Sequence, residues 1–428
     1  MKSRWIGLLV LLSFIAISFS LASRLVPGLA GPSAWGDDDD KPQFPKDATF
    51  TTLTTTPRAI EGLTGDNGHN LYTGGTGATP CPIWRINQYK PDLTVVGNVP
   101  TTLAASCAFT GIAFDELGNL YQADGTGGRI YTFKPDASSP PDATIFAAGV
   151  PGTNGLAFDR HGNLWTADGT TGQGRVWKIT GPGANCTASP PVNCVEVFRI
   201  QPMSNEVNLD ANGVGGVGRD IRDLPPGTIT VTPTTRNAAN TLGSQPLVAN
   251  GLAFNRKGDL FVIDTARGAL WKVEFSRNGT LKSPTGCDTT FTENTLCLSN
   301  VFVAHPILEG GDGIALDRDE NIWVDANERN AVAVVTRKRE VLEIFRNPVN
   351  SAGLRNSADT ADGNIHILEF PTSPFLTGKL FCTSQSDGNR RDNFANTGGQ
   401  VSPAGPDIGK ISCMDQELKI PGLRLPID

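Results

Sequence analysis

Apolar residues in the central part of the chain occur in short alternating runs that are separated by glycine-containing turns. The clearest example lies within residues 248–265. It opens with Asn250-Gly251, continues as an apolar strand, turns at Gly258 and returns as a second apolar strand that ends at Asp264. Alternation of this kind, with a glycine-containing turn between two runs, predicts a β-hairpin.

The same unit occurs five times along the chain. In each copy, one residue precedes the glycine and stands ten positions ahead of the apolar pair that opens the second strand. These residues are Glu61, Thr110, Asn154, Asn250 and Asp312. Further alternating segments follow the hairpins, for example Arg129–Phe133 and Val195–Arg199. Four short strands per repeat, at a spacing near the ~40–45 residues of a blade, predict an all-β chain folded as a β-propeller. Unrelated hairpins in another all-β fold would leave the fixed offset unexplained.

Six blades are predicted, with seven as the alternative. The alternative stays open because the interval from 154 to 250 is long enough to hold a further blade, although it contains no second copy of the hairpin. The sixth blade is expected to come from the C-terminal part of the chain. Its first strand is predicted within 365–370, and two later strands are predicted at 378–382 and 410–413.

The N-terminal residues lack the repeat pattern. In residues 1–22, Lys2 and Arg4 precede an apolar run and then small residues, which predicts a signal peptide and a secreted or periplasmic protein. The run is too short for a comfortable membrane span, so no stable span is expected after cleavage, with an uncleaved anchor as the alternative. Residues 23–46 are rich in Pro, Gly and Asp and predict a flexible segment. Residues 51–56 are expected to supply the outermost strand of the last blade, because an open ring would leave two unpaired edges.

Residues 47–428 are predicted to form one β-propeller domain with a long insertion at about 202–247. A propeller grows by adding blades, so its length does not require a second core. The insertion is expected either to cover the mouth of the central channel as a lid or to be decoration. The net charge of −7 and the absence of a basic run argue against a nucleic-acid partner.

The chain has eight cysteines, an even number that predicts disulfides in an exported protein. Eight cysteines allow about a hundred pairings. Positions on the predicted blades favour Cys186–Cys194 and Cys287–Cys297, which flank equivalent loops, and Cys382–Cys413, which lie on candidate neighbouring strands. Cys81 and Cys107 are left as the fourth pair. No Cys-x-x-Cys with metal-site spacing occurs, so zinc is not expected.

The residues before the five glycines are expected to converge, because the first strand of each blade lines the channel of a propeller. Glu61, Asn154, Asn250 and Asp312 would supply two carboxylates and two amides, an oxygen set that suits Ca²⁺. Ordinary turn chemistry is the alternative for each Asn or Asp before glycine, but glutamate has no comparable preference. A divalent metal, Ca²⁺ first, is therefore predicted at the mouth, with Thr110 beside it as a residue that binds substrate or supports the ligands.

Three aspartates, Asp124, Asp168 and Asp264, each stand fourteen positions after the mouth residue of their blade. The second strand of each hairpin returns to the mouth, so these carboxylates are expected on its rim. There they would orient metal ligands or a substrate hydroxyl. Capping of the turn to the third strand is the alternative role.

The repeats at Asn154-Gly155-Leu156, Asn250-Gly251-Leu252 and Asp312-Gly313-Ile314, together with the opening Glu61-Gly62, resemble the gluconolactonase/senescence-marker-protein family of six-bladed propellers. Members of that family bind a divalent ion, commonly calcium, at the channel mouth and hydrolyse sugar lactones or related esters. The resemblance implies that Glu61, Asn250 and Asp312 are metal ligands and that Asn154 is a ligand or a substrate contact. It also implies that Asp312 is the general base.

Two functions from different classes follow. The first is an exported metal-dependent hydrolase of lactone or related ester bonds, in which the metal acts as a Lewis acid and the partner is a small-molecule substrate. The second is a non-catalytic extracytoplasmic propeller that binds a protein or a glycan and holds a structural calcium. A shared fold does not decide between them.

Overall fold

The computed structural model describes five stretches of the chain, residues 44–45, 48–201, 247–348, 368–386 and 409–423. The predicted signal peptide, residues 23–43 and all but the last residue of the predicted insertion lie outside the described residues. The described residues belong to one compact unit, Pro42–Asp428.

Six antiparallel sheets follow one another along the described chain, and each uses four consecutive strands except the last. Blades 1 to 3 consist of Thr64–Gly65, Asn70–Gly74, Cys81–Asn87 and Lys90–Val99; of Phe109–Phe114, Leu120–Asp124, Arg129–Phe133 and Thr144–Ala148; and of Thr153–Phe158, Leu164–Asp168, Arg175–Ile179 and Cys194–Arg199. Blades 4 to 6 consist of Ala249–Phe254, Leu260–Asp264, Ala269–Val273 and Val301–Ala304; of Gly311–Leu316, Ile322–Ala326, Ala331–Val335 and Val341–Arg346; and of Pro371–Thr377, Leu380–Gln385, Gly409–Met414 and Phe50–Thr56. The six-bladed β-propeller is confirmed, and the seven-bladed alternative is wrong.

A few short elements lie outside the four-stranded plan. The two-residue strand Ala184–Asn185 adds in parallel to the outer edge of blade 2. Strands Gly77–Ala78 and Ser106–Cys107 pair with each other. Three 3₁₀ helices are described, Leu298–Asn300, Pro306–Leu308 and Asn327–Arg329. In the described part of the chain, no helix has the length and apolar character needed to cross a membrane.

The N-terminal strand closes the ring, as the threonine-rich pattern predicts. Phe50–Thr56 pairs antiparallel with Gly409–Met414. Phe50 is buried and packs edge-to-face on Phe381, with 5.8 Å between the ring centroids. The closing strand therefore contributes both a ladder of hydrogen bonds and an apolar anchor to blade 6.

The first strand of blade 6 is not where the sequence predicts it. It is Pro371–Thr377, and residues 368–370 precede it without forming a strand. The prediction for 365–370 is wrong because this blade lacks the residue-glycine pair of the other five. Its counterpart is Thr372, whose carbonyl oxygen would lie 2.5 Å from a Cβ added to Gly313. Thr372 is therefore the sixth residue of the inner ring.

The repeated glycines allow the inner strands to pack against one another. A Cβ atom added to each would lie far inside contact distance of the carbonyl oxygen of the next mouth residue. The distances are 2.2 Å from Gly62 to Thr110, 2.2 Å from Gly111 to Asn154, 2.7 Å from Gly155 to Asn250 and 2.4 Å from Gly251 to Asp312. Only glycine permits this approach. The glycine recurs after each mouth residue because neighbouring blades are in contact there.

Each mouth residue that lies in a regular strand sits at a β-bulge. In blade 3, Thr153 pairs with Asp168 and Leu156 pairs with Thr166, so two residues oppose one between these pairs. The same irregularity occurs in blades 2, 4 and 5. Bulges bend a strand and re-aim side chains. The turn alternative for the Asn-Gly and Asp-Gly pairs is therefore wrong, because these residues lie within strands.

The hydrophobic core is divided among the interfaces between blades. Six clusters of buried apolar side chains occur among the described residues, one at each interface between neighbouring blades. An aromatic residue on the second strand of one blade packs edge-to-face on a phenylalanine from the first strand of the next. Examples, with centroid distances, are Tyr72–Phe114 at 4.9 Å, Tyr121–Phe158 at 5.0 Å and Trp165–Phe254 at 5.6 Å. Such pairs add about 0.5–1.5 kcal/mol each to the area that they bury.

The propeller begins before the predicted boundary at residue 47. Phe44 is buried and packs edge-to-face on Trp323, with 6.1 Å between the centroids. The prediction that residues 23–46 are flexible is therefore wrong for Phe44. Burial is predicted from a repeating pattern of apolar residues, and a single aromatic residue in a segment rich in proline and charge does not form such a pattern.

All four predicted disulfides form. Cys81 is bonded to Cys107, Cys186 to Cys194, Cys287 to Cys297 and Cys382 to Cys413. No cysteine is free. Four structural disulfides are typical of proteins from an extracellular or otherwise oxidising compartment.

Candidate functional site

The structure brings four of the predicted mouth residues together. The Asn154 side chain lies close enough to the Glu61 carboxylate to oppose the rise in its pKa, and the Asn250 side chain does the same for the Asp312 carboxylate. The two carboxylates are near enough that the charge of Asp312 contributes to the raised pKa of Glu61. Asn154, Asn250 and Asp312 are all buried in strands, whereas Glu61 precedes the first strand of blade 1.

Burial shifts both mouth carboxyl groups toward their neutral forms. Burial first, and then the charge of Asp312, raises the pKa of Glu61 to about 8, against the opposing hydrogen bond from Asn154. Burial raises the pKa of Asp312 to about 7, although hydrogen bonds from Asn327 and Asn250 oppose the shift. Two carboxylates that share a buried site without a cation repel each other. A cation bound between the two carboxylates would remove this repulsion.

Two residues that the sequence prediction missed hold the mouth side chains in place. Asn250 Nδ2 donates to Thr265 Oγ1 at 3.1 Å, and Asn327 Nδ2 donates to Asp312 Oδ2 at 2.9 Å. Both partners stand fifteen positions after their mouth residue. A search of the sequence for polar residues fifteen positions after each mouth residue would have identified both. The predicted aspartates use an offset of fourteen, where the second strand ends, whereas Thr265 lies in the following turn and Asn327 begins a 3₁₀ helix.

The oxygen atoms at the mouth fit a divalent cation. Asn250 is 1% exposed, and its Oδ1 atom accepts no hydrogen bond from any residue that the structure describes. Leaving a buried acceptor without a partner costs about 1–3 kcal/mol. A cation bound by this oxygen and by the Glu61 and Asp312 carboxylates would satisfy the acceptor and remove the repulsion. Amide and carboxylate oxygens are ligands that Ca²⁺ accepts.

The possible metal ligands at the mouth are a mixture of carboxylate and amide oxygens. Within the described ranges, no three His, Cys, Asp or Glu side chains are grouped so that they could hold a metal ion. The mouth contributes two carboxylates, and its other oxygens come from amides. This composition favours a hard cation over copper or zinc.

The three predicted rim aspartates contact the turns that follow them. The Asp168 carboxylate pairs with Arg175 Nε at 2.9 Å, and that of Asp264 pairs with Arg267 Nη1 at 2.8 Å. All three carboxylates also accept backbone N–H groups from the next turn, including that of Asp124. These are the contacts of turn caps. Their role in substrate binding or ligand orientation stays a prediction.

A third buried carboxyl group lies near the mouth. Asp325 is buried in blade 5, and its Oδ2 atom accepts a hydrogen bond from Thr383 Oγ1 at 2.5 Å. Burial raises the pKa of Asp325 well above its usual range, the hydrogen bond from Thr383 opposes this shift, and the charge of Asp312 adds to it. The repeat does not single out Asp325, because the equivalent position is apolar in blades 2 to 4.

A cavity of about 400 Å³ opens beside Glu61. Thr110, Thr126 and Thr170 from blades 2 and 3 also line it. Thr110 Oγ1 donates to the Thr153 carbonyl oxygen at 2.9 Å, which fixes the hydroxyl at the wall. A small-molecule ligand in this cavity would touch Glu61 and a group of hydroxyl side chains.

Comparison with known proteins supports the family resemblance. Residues 201–353 match the family model described as the SMP-30/gluconolactonase/LRE-like region. The predicted resemblance is confirmed. The matched region covers about a third of the chain and contains Asn250 and Asp312, whereas Glu61 and Asn154 precede it. No curated protein matches the chain in sequence.

Two solved structures are similar to the propeller with its SMP-30/gluconolactonase-like region. A luciferin-regenerating enzyme is 10% identical with a TM-score of 0.51, over 89% of this chain and 99% of that one. Regucalcin from Agrobacterium tumefaciens, described as a calcium-binding protein, is 14% identical with a TM-score of 0.49, over 90% of this chain and 98% of that one. At these identities the similarity concerns the fold alone.

Proposed function

We propose that this protein is an exported, metal-dependent hydrolase of sugar lactones or related esters. The observation that carries the proposal is the cluster of Glu61, Asn154, Asn250 and Asp312 at the channel mouth, with the buried Asn250 Oδ1 left without a hydrogen-bond donor from the described residues. The match of residues 201–353 to the SMP-30/gluconolactonase-like region supports the substrate class. The four disulfides support export.

Ca²⁺ is the proposed metal, held by Glu61, Asn250 and Asp312 with Asn154 as a further ligand or a substrate contact. When bound, the cation would supply Lewis-acid polarisation of the lactone carbonyl. The proposed ligands themselves supply no positive charge, since they are carboxylates and amides.

Asp312 is the proposed general base. Its carboxylate takes a proton from water as the water oxygen bonds to the carbonyl carbon, and it returns that proton to the ring oxygen as the ester bond breaks. Asn327 fixes the orientation of this carboxylate through a hydrogen bond to its Oδ2 atom. Glu61 lines the cavity that the substrate would occupy. The product is the open-chain hydroxy acid.

The test is the initial rate of hydrolysis of a panel of sugar lactones by the metal-stripped full chain, titrated with Ca²⁺. A rate that rises with Ca²⁺ and saturates is expected. If Ca²⁺ raises the melting temperature but no lactone is hydrolysed, the hydrolase proposal fails and the non-catalytic propeller with a structural calcium takes its place. If Ca²⁺ changes neither rate nor stability, the metal site fails as well.

Binding of Ca²⁺ is expected to weaken as the pH falls from 8 to 6. Glu61 and Asp312, with pKa values raised to about 8 and about 7, must lose protons before they bind a cation. Calorimetric titration at pH 6.5, in buffers with different ionisation enthalpies, is expected to reveal release of about one to two protons per Ca²⁺. The same affinity at pH 6 and pH 8 would exclude these two groups as ligands.

The stability of the calcium-free protein is expected to change in the opposite direction. Because the folded-state pKa values of Glu61 and Asp312 are raised, the folded protein binds more protons than the unfolded chain between about pH 4 and pH 8. The contribution of these groups to the free energy of unfolding therefore falls as the pH rises through this window. Added Ca²⁺ is expected to raise the melting temperature most at pH 8.

A further inference from the structure

A second, larger cavity adjoins the one beside Glu61. Its volume is about 600 Å³, within the range of roughly 300–1,000 Å³ of small-molecule sites. Cys107, Ala108 and Thr126 line both cavities, so the two spaces meet at these residues. The outer cavity extends away from the mouth along residues 101–108.

The wall formed by residues 101–108 is fixed in position. The Cys81–Cys107 disulfide ties its end to blade 1, and the paired strands Gly77–Ala78 and Ser106–Cys107 run beside the bond. Thr79 Oγ1 donates to the Ala104 carbonyl oxygen at 2.9 Å, and Thr79 N donates to that of Ala105 at 3.2 Å. A ligand would therefore meet a preformed surface, which reduces the entropic cost of binding.

The charged groups on the cavity wall already have partners. Asp124 Oδ1 accepts the backbone N–H groups of Ala108 at 3.2 Å and Gly127 at 3.0 Å. Arg129 Nη1 donates to the Leu103 carbonyl oxygen at 2.5 Å. A charged ligand would have to compete with these contacts. An uncharged ligand would not, and leaving paired groups intact favours it.

The remainder of the wall offers hydroxyl groups and small apolar surfaces. Thr101, Thr102, Ser106 and Thr126 supply hydroxyls that can both donate and accept hydrogen bonds. Ala104, Ala105 and Leu103 supply apolar patches. A sugar ring presents hydroxyls at its edge and C–H groups on its face, so it matches both kinds of surface.

We infer that the outer cavity binds a second, uncharged sugar ring, so that the preferred substrate is a lactone carrying a further glycosyl unit. This inference rests on the proposed function, because it places the lactone in the cavity beside Glu61. The attached ring would then extend past Thr126 into the outer cavity. A monosaccharide lactone would leave that cavity without ligand.

The test compares kcat/KM for gluconolactone with kcat/KM for cellobionolactone, whose lactone ring bears a second hexose, at saturating Ca²⁺. The wild-type ratio is expected to favour the disaccharide lactone by at least about tenfold. Ala105→Trp and Thr102→Trp both fill the outer cavity from exposed positions, and each is expected to reduce this ratio to near one. Leu117→Trp is the matched control, at an exposed site in the turn between the first two strands of blade 2 and outside the cavity lining, and is expected to leave the ratio unchanged.

The outcomes separate the subsite from the proposed function. Hydrolysis of gluconolactone with no preference for the disaccharide lactone, and no effect of either tryptophan, would overturn the subsite and leave the hydrolase intact. If neither lactone is hydrolysed, calorimetric binding of cellobiose decides. Binding that Ala105→Trp abolishes would support the sugar subsite while the hydrolase fails, and no binding would overturn both.

Discussion

Replacing Asp312 with asparagine is expected to lower kcat for lactone hydrolysis by about 100- to 10,000-fold, the usual contribution of a general base. The amide keeps an oxygen near Asn327, whose Nδ2 atom donates to the Asp312 carboxylate at 2.9 Å. It removes the group that would take a proton from water. The rate should be measured at saturating Ca²⁺, because the variant also loses one negative charge at the proposed metal site.

The stability of the Asp312→Asn variant provides a second measurement. Burial raises the pKa of Asp312 to about 7, so the carboxylate destabilises the calcium-free fold above that pH. The variant is therefore expected to melt at the same temperature as the wild type or higher at pH 8 without Ca²⁺. Loss of activity together with retained stability would exclude unfolding as the cause.

Asp319→Asn is the matched control for this experiment. Asp319 is exposed and lies in the same blade, in the turn between its first two strands, away from the mouth. Its substitution removes the same charge and is expected to leave kcat unchanged. A similar loss of rate in both variants, or a normal rate in Asp312→Asn, would contradict the role of Asp312 as the base.

Replacing Gly251 with alanine is expected to lower the free energy of unfolding by about 3 kcal/mol or more, at or beyond the upper end of ordinary overpacking costs. The added Cβ would lie 2.4 Å from the Asp312 carbonyl oxygen and 2.7 Å from the Gly313 Cα atom. Both are backbone atoms, so no side-chain rotation can relieve the clash. Blades 4 and 5 would have to move apart at the point where Asn250 and Asp312 meet.

The Gly251→Ala variant is therefore expected to lose Ca²⁺ affinity as well as stability. Chemical denaturation would measure the loss of stability, and calorimetry would measure binding. Gly181→Ala is the matched control, since the atom nearest to its added Cβ would be Asn193 Nδ2, at 3.7 Å. If Gly251→Ala were as stable as Gly181→Ala, the close approach of the inner strands would not explain the repeated glycine.

The positions of the mouth residues could be predicted from the sequence, but the reason for their spacing could not. The repeat predicts that Glu61, Asn154, Asn250 and Asp312 occupy equivalent places in successive blades. It does not reveal that the following glycine touches the next blade, because the contact joins residues that are 43 to 95 positions apart, such as 111 with 154 and 155 with 250. An Asn-Gly pair at a bulge and one in a turn look the same in the sequence.

The residues that support the mouth show the same limit on a smaller scale. Asp124, Asp168 and Asp264 are conspicuous because they are charged and recur at one offset. Thr265 and Asn327, one position further along the repeat, are the ones that bond Asn250 and Asp312. At this position the second strand has ended, with Thr265 in a turn and Asn327 in a 3₁₀ helix, and the alternation of a strand no longer predicts where a side chain points.

By itself, the sequence determined the elements that depend on local pattern and on repetition. These include the five repeated hairpins, the closing strand near Thr51–Thr56 and the cysteine pairs that flank one loop or lie on neighbouring strands. Each follows from alternation, a fixed period or the need to pair an open edge. Such information is local, or it is copied from blade to blade.

Only the tertiary structure decided which side chains meet at the centre of the ring. The first strand of blade 6 breaks the sequence pattern, yet Thr372 takes the sixth inner place, where its carbonyl oxygen approaches Gly313. Burial of the two mouth carboxyl groups, and the Asn250 oxygen left without a donor among the described residues, arise when separate blades close around one axis. These properties depend on contacts between different blades, and the sequence of a single repeat does not specify such contacts.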